Sequence, residues 1–341
     1  MVPDTMRSWR MDGIGKDLLR LEKVAVPNPG KNEILIKVKA VSLNYRDKMV
    51  IESGRGLPLV FPFTPCSDLS GEVVAIGVGV SRFIPGDRVI STFTPDWVDG
   101  IRPGNARTPF YRTLGGFYPG VLSEYVVLSE EWLVRAPASL TYMQASTLPC
   151  AGLTAWFALV ERANVGADDI VLIPGTGGVA LFGLQIAKVR GARVIVSGRQ
   201  ENRERVIAAG ADYFIDKAND NLLESVYTIT DNYGADVVLE VIGGGHLSKA
   251  VQSAAVGGRI CQIGALDGFE LSTPAMPLML KDVTIHGIGT GSRKALENLV
   301  SAVDDSELKP IIDSQYTMEE FLTALEHLDR GPFGKIVILC Q

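Results

Sequence analysis

Histidine and cysteine are both scarce in this chain of 341 residues, with three of the first and four of the second. The cysteines Cys66, Cys150, Cys261 and Cys340 lie far apart, and no C-x-x-C pair occurs. That spacing argues against a structural zinc site and a disulfide framework, and it suits a reducing cytosol. Long hydrophobic runs are missing as well. None approaches the roughly 20 residues needed to cross a bilayer. The opening MVPDTMRSWRMDGIGKDLL has no apolar core and does not read as a signal peptide. Nor does charge of one sign dominate: 33 Lys and Arg stand against 39 Asp and Glu, a net of -6. A polyanion finds no basic face there, so nucleic acid is not an expected partner. These absences point to a cytoplasmic protein without a membrane segment.

What remains is the composition of an ordinary globular chain, 46% hydrophobic and long enough for two packed domains. Residues 1–130 are short and strand-like. EILIKVKAVSLN, SGEVVAIGVGV, DRVIST and LSEYVVLS alternate with period two and are rich in β-branched residues, as half-buried strands are. From about Leu140 the texture changes. DIVLIP leads into VALFGLQIAKVRGA, RVIVSG into ENRERVIAAGA, and ADVVLEVIGG into HLSKAVQSAAVGG; RICQIGAL and VTIHGIG follow. Continuous apolar strands, each followed by an amphipathic helix, are what a buried parallel sheet requires. The fold class is therefore α/β. A β-rich domain over 1–130 precedes a doubly wound domain over 131–291, and a segment over 292–341 rejoins the first.

IVLIPGTGGVALFGLQIAKV sets a glycine turn between a strand and a helix, the context that makes such a turn informative. Gly175 allows the turn, Gly177 lets the backbone approach a pyrophosphate, and Gly178 lets helix and strand close together. Thr176 and Val179 complete the cradle, and the helix N-terminus offers free N–H groups and a positive dipole end. The spacing departs from G-x-G-x-x-G, with Ala180 in the last slot. About 20 residues on, where an Asp or Glu would hold the ribose of NAD, the chain reads SGR. Ser197 can hydrogen-bond a 2′-phosphate, Arg199 can clamp it, and Arg203 can reach the same anion. The alternative is that both arginines are solvated and paired with Glu201 or Glu204. The cofactor expected is NADPH.

LNYRD (43–47), PCSDLSGEVVAIGVGVSRFIPGDRV (65–89), LSEYVVL (122–128), LPCAGLTAW (148–156), the glycine turn and GPFGKIVI (331–338) span nearly the whole chain. In that order and at those spacings the chain resembles the medium-chain dehydrogenase/reductase superfamily, in its zinc-independent, quinone-oxidoreductase-like branch. The resemblance implies a GroES-like catalytic domain and a Rossmann domain. It also implies a homodimer formed by edge pairing of the last Rossmann strand, VTIHGIG. By the same resemblance Thr154 lies against the nicotinamide amide; the alternative is a helix-interior Thr bonded to its own backbone. Gly243, Gly264 and Ala265 end strands where a cofactor crosses the sheet's carboxyl edge, and Arg293 can reach the pyrophosphate.

Zinc-dependent relatives hold their catalytic metal with a Cys, a His in a GHE segment, and a later Cys or Asp. Here Asn44 takes the first place, Ser67 replaces the His with Asp68 as the acid, and only Cys150 survives at the third. A thiol, an amide and a hydroxyl do not make a zinc site, so no metal is expected and Cys150 reads as a small buried hydrophobe. His246, His286 and His327 read as structural. Another group must then stabilise the substrate oxyanion during hydride transfer. The candidates are Tyr45, Asn44 and Ser67, with plain core filling as the alternative for the Tyr45 ring. FTPDWVDGIRPGNARTPFYRTLGGFYPG (93–120) replaces the family's structural-zinc lobe. Its Phe93, Trp97, Phe110, Tyr111, Phe117 and Tyr118 would line a substrate lid, or else pack the loop upon itself. The expected function is NADPH-dependent, zinc-independent hydride transfer to a quinone or α,β-unsaturated carbonyl. A zinc-free alcohol dehydrogenase or ketone reductase and a catalytically idle NADPH-binding protein remain alternatives.

Overall fold

The computed structural model, which describes residues 2–306 and 308–340, turns the alternating segments of the N-terminal third into antiparallel strands. They are β1 Thr5–Met11, β2 Leu19–Ala25, β3 Glu33–Ser42, β4 Asp68–Ile76, β5 Arg88–Ser91, β6 Tyr125–Ser129 and β7 Leu133–Arg135. β1 and β2 pair as a hairpin of their own; β3 lies between β4 and β6, and β4 leads through β5 to β7. β3 is buried on both faces rather than one. Ile34 and Ile36 enter the main core, while Leu35 packs with Met6 and Tyr125 on the opposite side.

The second set of strands is β8 Ile170–Pro174, β9 Arg193–Gly198, β10 Tyr213–Asp216, β11 Ala235–Glu240, β12 Ala254–Gln262 and β13 Thr284–Gly287. They form a parallel six-stranded sheet in the order β10-β9-β8-β11-β12-β13. Strand order reverses between β8 and β11, so the crevice at their carboxyl ends is the topological switch point where such sheets bind ligands. β8 is buried along its whole length, which explains its unbroken apolar sequence.

The chain ends with β14 Ile312–Thr317 and β15 Lys335–Leu339. β15 pairs antiparallel with β3 and parallel with β14, so the C-terminal segment completes the first sheet. Phe321 and Leu325 enter the same core, and the Trp9 indole donates to the Met318 carbonyl at 2.7 Å. The two compact units are Met1–Leu153 with Gly291–Gln341, and Thr154–Thr290. The first unit therefore continues past residue 130, where the sequence reading ended it. β7 pairs with β5, and the Cys150 N–H donates to Asp68 at 3.0 Å, which ties this stretch to the first sheet. Among the described residues no helix is long and apolar enough to cross a membrane.

Candidate functional site

The glycine turn follows β8 in the second unit. Gly175 has φ 148°, a conformation that side chains other than glycine's rarely accept, so the turn needs it. Gly177 caps the helix Gly178–Val189 without any side-chain hydrogen bond. The first-turn N–H groups, from Gly178 and Val179 onward, thus receive no hydrogen bond from an N-cap side chain. Thr176 accepts a hydrogen bond from Asn202 at 3.2 Å, which links the turn to the end of β9. Close helix–sheet packing falls at Gly183, where an added Cβ would meet Leu239 at 2.3 Å. Gly183 sits in the interior of an apolar helix, where the sequence gives no sign of what lies opposite.

At the carboxyl ends of β11 and β12, the turns at Gly243 and Gly264 run against each other. A Cβ on Gly243 would lie 2.2 Å from the Gly264 carbonyl oxygen. Ala265 continues the second turn. The buried Glu240 carboxylate shapes the first, accepting from the N–H groups of Ile242 and Gly243 at 2.7 and 2.9 Å and pairing with His246 Nδ1 at 2.6 Å. At the end of β9, Ser197 is buried. Arg199 is half exposed with Glu201 at 3.4 Å, and Arg203 stacks 5.8 Å from the Phe214 ring. Thr154 is buried in the short helix Leu153–Trp156.

The residues expected at the vacated metal position are in the first unit. Asn44 caps the helix Tyr45–Ser53, with its own N–H donating to Asp47 at 2.8 Å. Its side-chain oxygen accepts from Lys335 Nζ at 2.6 Å, and its amide reaches Ser67 Oγ at 3.5 Å. Ser67 is fully buried and donates to Asp68 at 2.6 Å, so no proton is left for a substrate oxyanion. The structure therefore brings Asn44 and Ser67 together but spends both on internal bonds. Tyr45 stands outside this cluster, 43% exposed on the first helical turn, with Lys48 Nζ 5.7 Å from its ring. That exposure excludes plain core filling.

Burial pushes the Asp47 carboxyl up to about 6, against the opposing charge of Arg46. It raises Asp68 too, opposed chiefly by Lys335, and the same desolvation lowers the Lys335 ammonium. Cys150 is partly exposed, not the fully buried hydrophobe expected, and desolvation raises its thiol. Among the described residues no group of three or more His, Cys, Asp or Glu is arranged to hold a metal. The donor set does not fit zinc: one protonated thiol, a committed amide and hydroxyl, and an ammonium where a dication would sit. The sequence reading passed over Lys335 and Asp47. Their signal was the Asp closing LNYRD and the Lys within GPFGKIVI, which meet only when β15 returns to β3.

The loop over 93–120 packs on itself. Arg102 stacks on Trp97 at 4.2 Å and on Tyr111 at 5.4 Å, Arg112 on Phe110 at 4.0 Å, and Tyr118 donates to Asp96. Arg46, also missed from sequence, clasps it from below. Its guanidinium donates to Thr113 Oγ1 at 2.8 Å and to the Leu114 and Gly115 carbonyls at 3.1 and 3.3 Å. Arg293, expected from sequence to reach the pyrophosphate, has acidic partners within the first unit. It pairs with Glu131 and lies 3.6 Å from Glu297, so it serves the first unit internally.

Family models match two stretches: "Alcohol dehydrogenase GroES-like domain" over 30–138 and "Zinc-binding dehydrogenase" over 178–305. A zinc-type alcohol dehydrogenase-like protein of Schizosaccharomyces pombe is 33% identical, covering 95% of this chain and 96% of its own. The quinone oxidoreductase of Sus scrofa is 28% identical, over 95% and 94% of the two chains. A solved structure from Sinorhizobium meliloti 1021, classed among alcohol dehydrogenases, has a TM-score of 0.97 at 55% identity, covering 99% of this chain and 100% of that one.

Proposed function

The chain belongs to the medium-chain dehydrogenase/reductase superfamily, and from that premise we propose an NADPH-dependent, zinc-independent reductase of quinones or α,β-unsaturated carbonyls. It is an oxidoreductase, in a family that uses nicotinamide cofactors on small molecules. The observation that carries the finer reading is Lys335 Nζ, 2.6 Å from Asn44 Oδ1, inside the cluster where zinc-dependent relatives hold a metal. A buried ammonium there supplies positive charge to Asp47 and Asp68, and repels a dication. No step in this reading passes through a metal.

The N–H groups before and within the first turn of helix Gly178–Val189 would bind the pyrophosphate, and Thr154 the nicotinamide amide. Ser197, Arg199 and Arg203 would meet a 2′-phosphate; β9 ends without the carboxylate that would repel one. When bound, the cofactor supplies a hydride. The chain itself must orient the acceptor and hold its oxygen as negative charge develops. A cytoplasmic homodimer belongs to the same reading.

Steady-state oxidation of NADPH and NADH with quinones, enones, ketones and alcohols tests it. Turnover is expected with a quinone or enone, with NADPH bound roughly tenfold or more tighter than NADH. Arg199→Ala should weaken NADPH and spare NADH, since a charge-assisted bond is worth roughly 1.5–3 kcal/mol. Equal losses for both cofactors would reject the phosphate role. Turnover of simple ketones or alcohols alone selects the alcohol dehydrogenase alternative, and tight NADPH binding with no turnover selects the idle binding protein. One equivalent of zinc per chain, retained on dialysis, would refute zinc independence.

A further inference from the structure

We propose that Glu240 is a positioning residue for the nicotinamide half of the dinucleotide, because its carboxylate presets the turn at Gly243. The proposal rests on the reading that a nicotinamide dinucleotide lies across the carboxyl edge of the parallel sheet. Every group it uses belongs to the second compact unit, Thr154–Thr290.

A carboxylate is an unusual residue for the end of a central strand. Glu240 closes β11 after Val237, Val238 and Leu239, and it is fully buried. A buried charge is destabilising unless hydrogen bonds satisfy it, and an apolar side chain of similar size would pack such a place with less penalty. The bonds are all close at hand. Oε1 accepts from the N–H groups of Ile242 and Gly243 at 2.7 and 2.9 Å, and Oε2 meets His246 Nδ1 at 2.6 Å. His246 opens the helix His246–Ser253, so one carboxylate joins strand, turn and helix start. What it adds over an apolar residue is a fixed path for residues 241–246.

A second turn is laced to that path. The Glu240 carbonyl accepts from the N–H groups of Ile263 and Gly264 at 2.8 and 3.0 Å. The Ile242 carbonyl accepts from Leu266 and Asp267 at 2.7 and 3.2 Å. Gln262, opposite Glu240 in the register of β11 and β12, donates to the Gly264 carbonyl at 2.8 Å. The approach leaves no slack. An added Cβ on Gly244 would lie 1.9 Å from the Asp267 carbonyl oxygen, and one on Gly264 would lie 2.1 Å from the Val241 carbonyl carbon. Moving the first turn therefore moves the second.

Strand order assigns both turns to one half of the ligand. A doubly wound sheet binds a dinucleotide across its switch point, with one mononucleotide on each side. The adenosine half belongs to the glycine turn after β8 and to the end of β9, where the ribose is read. The ends of β11 and β12 lie on the other side of the switch, which leaves them the nicotinamide half. Both oxygens of Glu240 are taken, so it acts through the turn it holds and need not touch the nucleotide.

The test titrates NADPH and NADH, followed by reduced-nicotinamide fluorescence, and the adenosine-half probes 2′,5′-ADP and ADP, followed by calorimetry. Glu240→Leu keeps the side-chain volume and removes every acceptor. It should weaken the preferred cofactor on the order of tenfold to a hundredfold, while the matching adenosine probe stays within about twofold of the parent. Glu240→Gln keeps an oxygen for both backbone N–H groups and an amide that can bond the imidazole in its other tautomer. It should restore the parent's affinity. If Glu240→Leu does not fold, His246→Leu decides: it removes the bond to Oε2 alone and should weaken the cofactor roughly fivefold, with the adenosine probe unchanged. Equal losses for cofactor and probe, an unchanged cofactor, or a Glu240→Gln no better than Glu240→Leu would overturn the role of Glu240 and leave the function reading standing. A parent that prefers NADH removes only the NADPH preference, and Glu240 is then judged with NADH and ADP. A parent that binds no dinucleotide overturns both.

Discussion

The Asp47 carboxyl is fully buried, accepts the Asn44 N–H, and is pushed up to about 6 mainly by desolvation. Between its ordinary value of 3.8 and about 6, the folded protein holds a proton there that the unfolded chain has lost. By linkage, this group's contribution to stability falls as pH rises through that window. Asp47→Asn deletes the contribution. The variant's melting temperature should therefore climb more steeply, or fall less, from pH 4 to 6 than the parent's. Scanning calorimetry across that range checks it, and parallel curves would show that Asp47 does not titrate there. The same residue shows what sequence can and cannot say. An Asp three places after Asn44 is readable as a capping box, but the burial that shifts its proton comes from strands distant in the chain.

At the scale of elements, the loop over 93–120 is the clearest case of a segment with two readings in sequence. Its aromatics suited either a lid or a self-packed loop, and the arginine stacks make it the second around most of its length. Arg46 is the tie that anchors it to the helix Tyr45–Ser53. Arg46→Met keeps the apolar stem and removes the bonds, each worth about 1 kcal/mol. Local opening should then become on the order of a hundredfold more frequent, three such bonds being lost. Trypsin cleavage at the exposed Arg107, followed by mass spectrometry, should quicken accordingly. An unchanged cleavage rate would mean the loop's own packing holds it without Arg46.

For the whole molecule, the strands leave one edge that bears on assembly. β13 pairs with β12 on one side, and among the described residues its other side has no partner. Ile285 on that strand is exposed, as are Met276, Met279 and Leu280 of the helix Ala275–Leu280. An open strand beside exposed apolar side chains favours pairing with a second copy of itself across a two-fold axis. Sedimentation of the parent should give a dimer, and Ile285→Lys should shift it to monomer. A variant that stays dimeric would place the interface elsewhere.

The sequence by itself determined the α/β class, the parallel sheet and the nucleotide turn. Each of these is a local pattern: continuous apolar strands, amphipathic helices, and glycines at a strand–helix junction. Residue identity also sets Asn44, Ser67 and Cys150 at the positions that the family resemblance matches to zinc ligands, an expectation that rests on that resemblance. The tertiary structure decided the rest. Lys335 meets Asn44 across 291 positions of chain, and Arg46 meets residues 113–115 across about 70. Arg293, the last residue of GTGSR, pairs with Glu131 from another element, a contact the local sequence does not announce. Hydrogen-bond partners and desolvation depend on which side chains the fold brings within a few ångströms, and local periodicity carries no record of those distances.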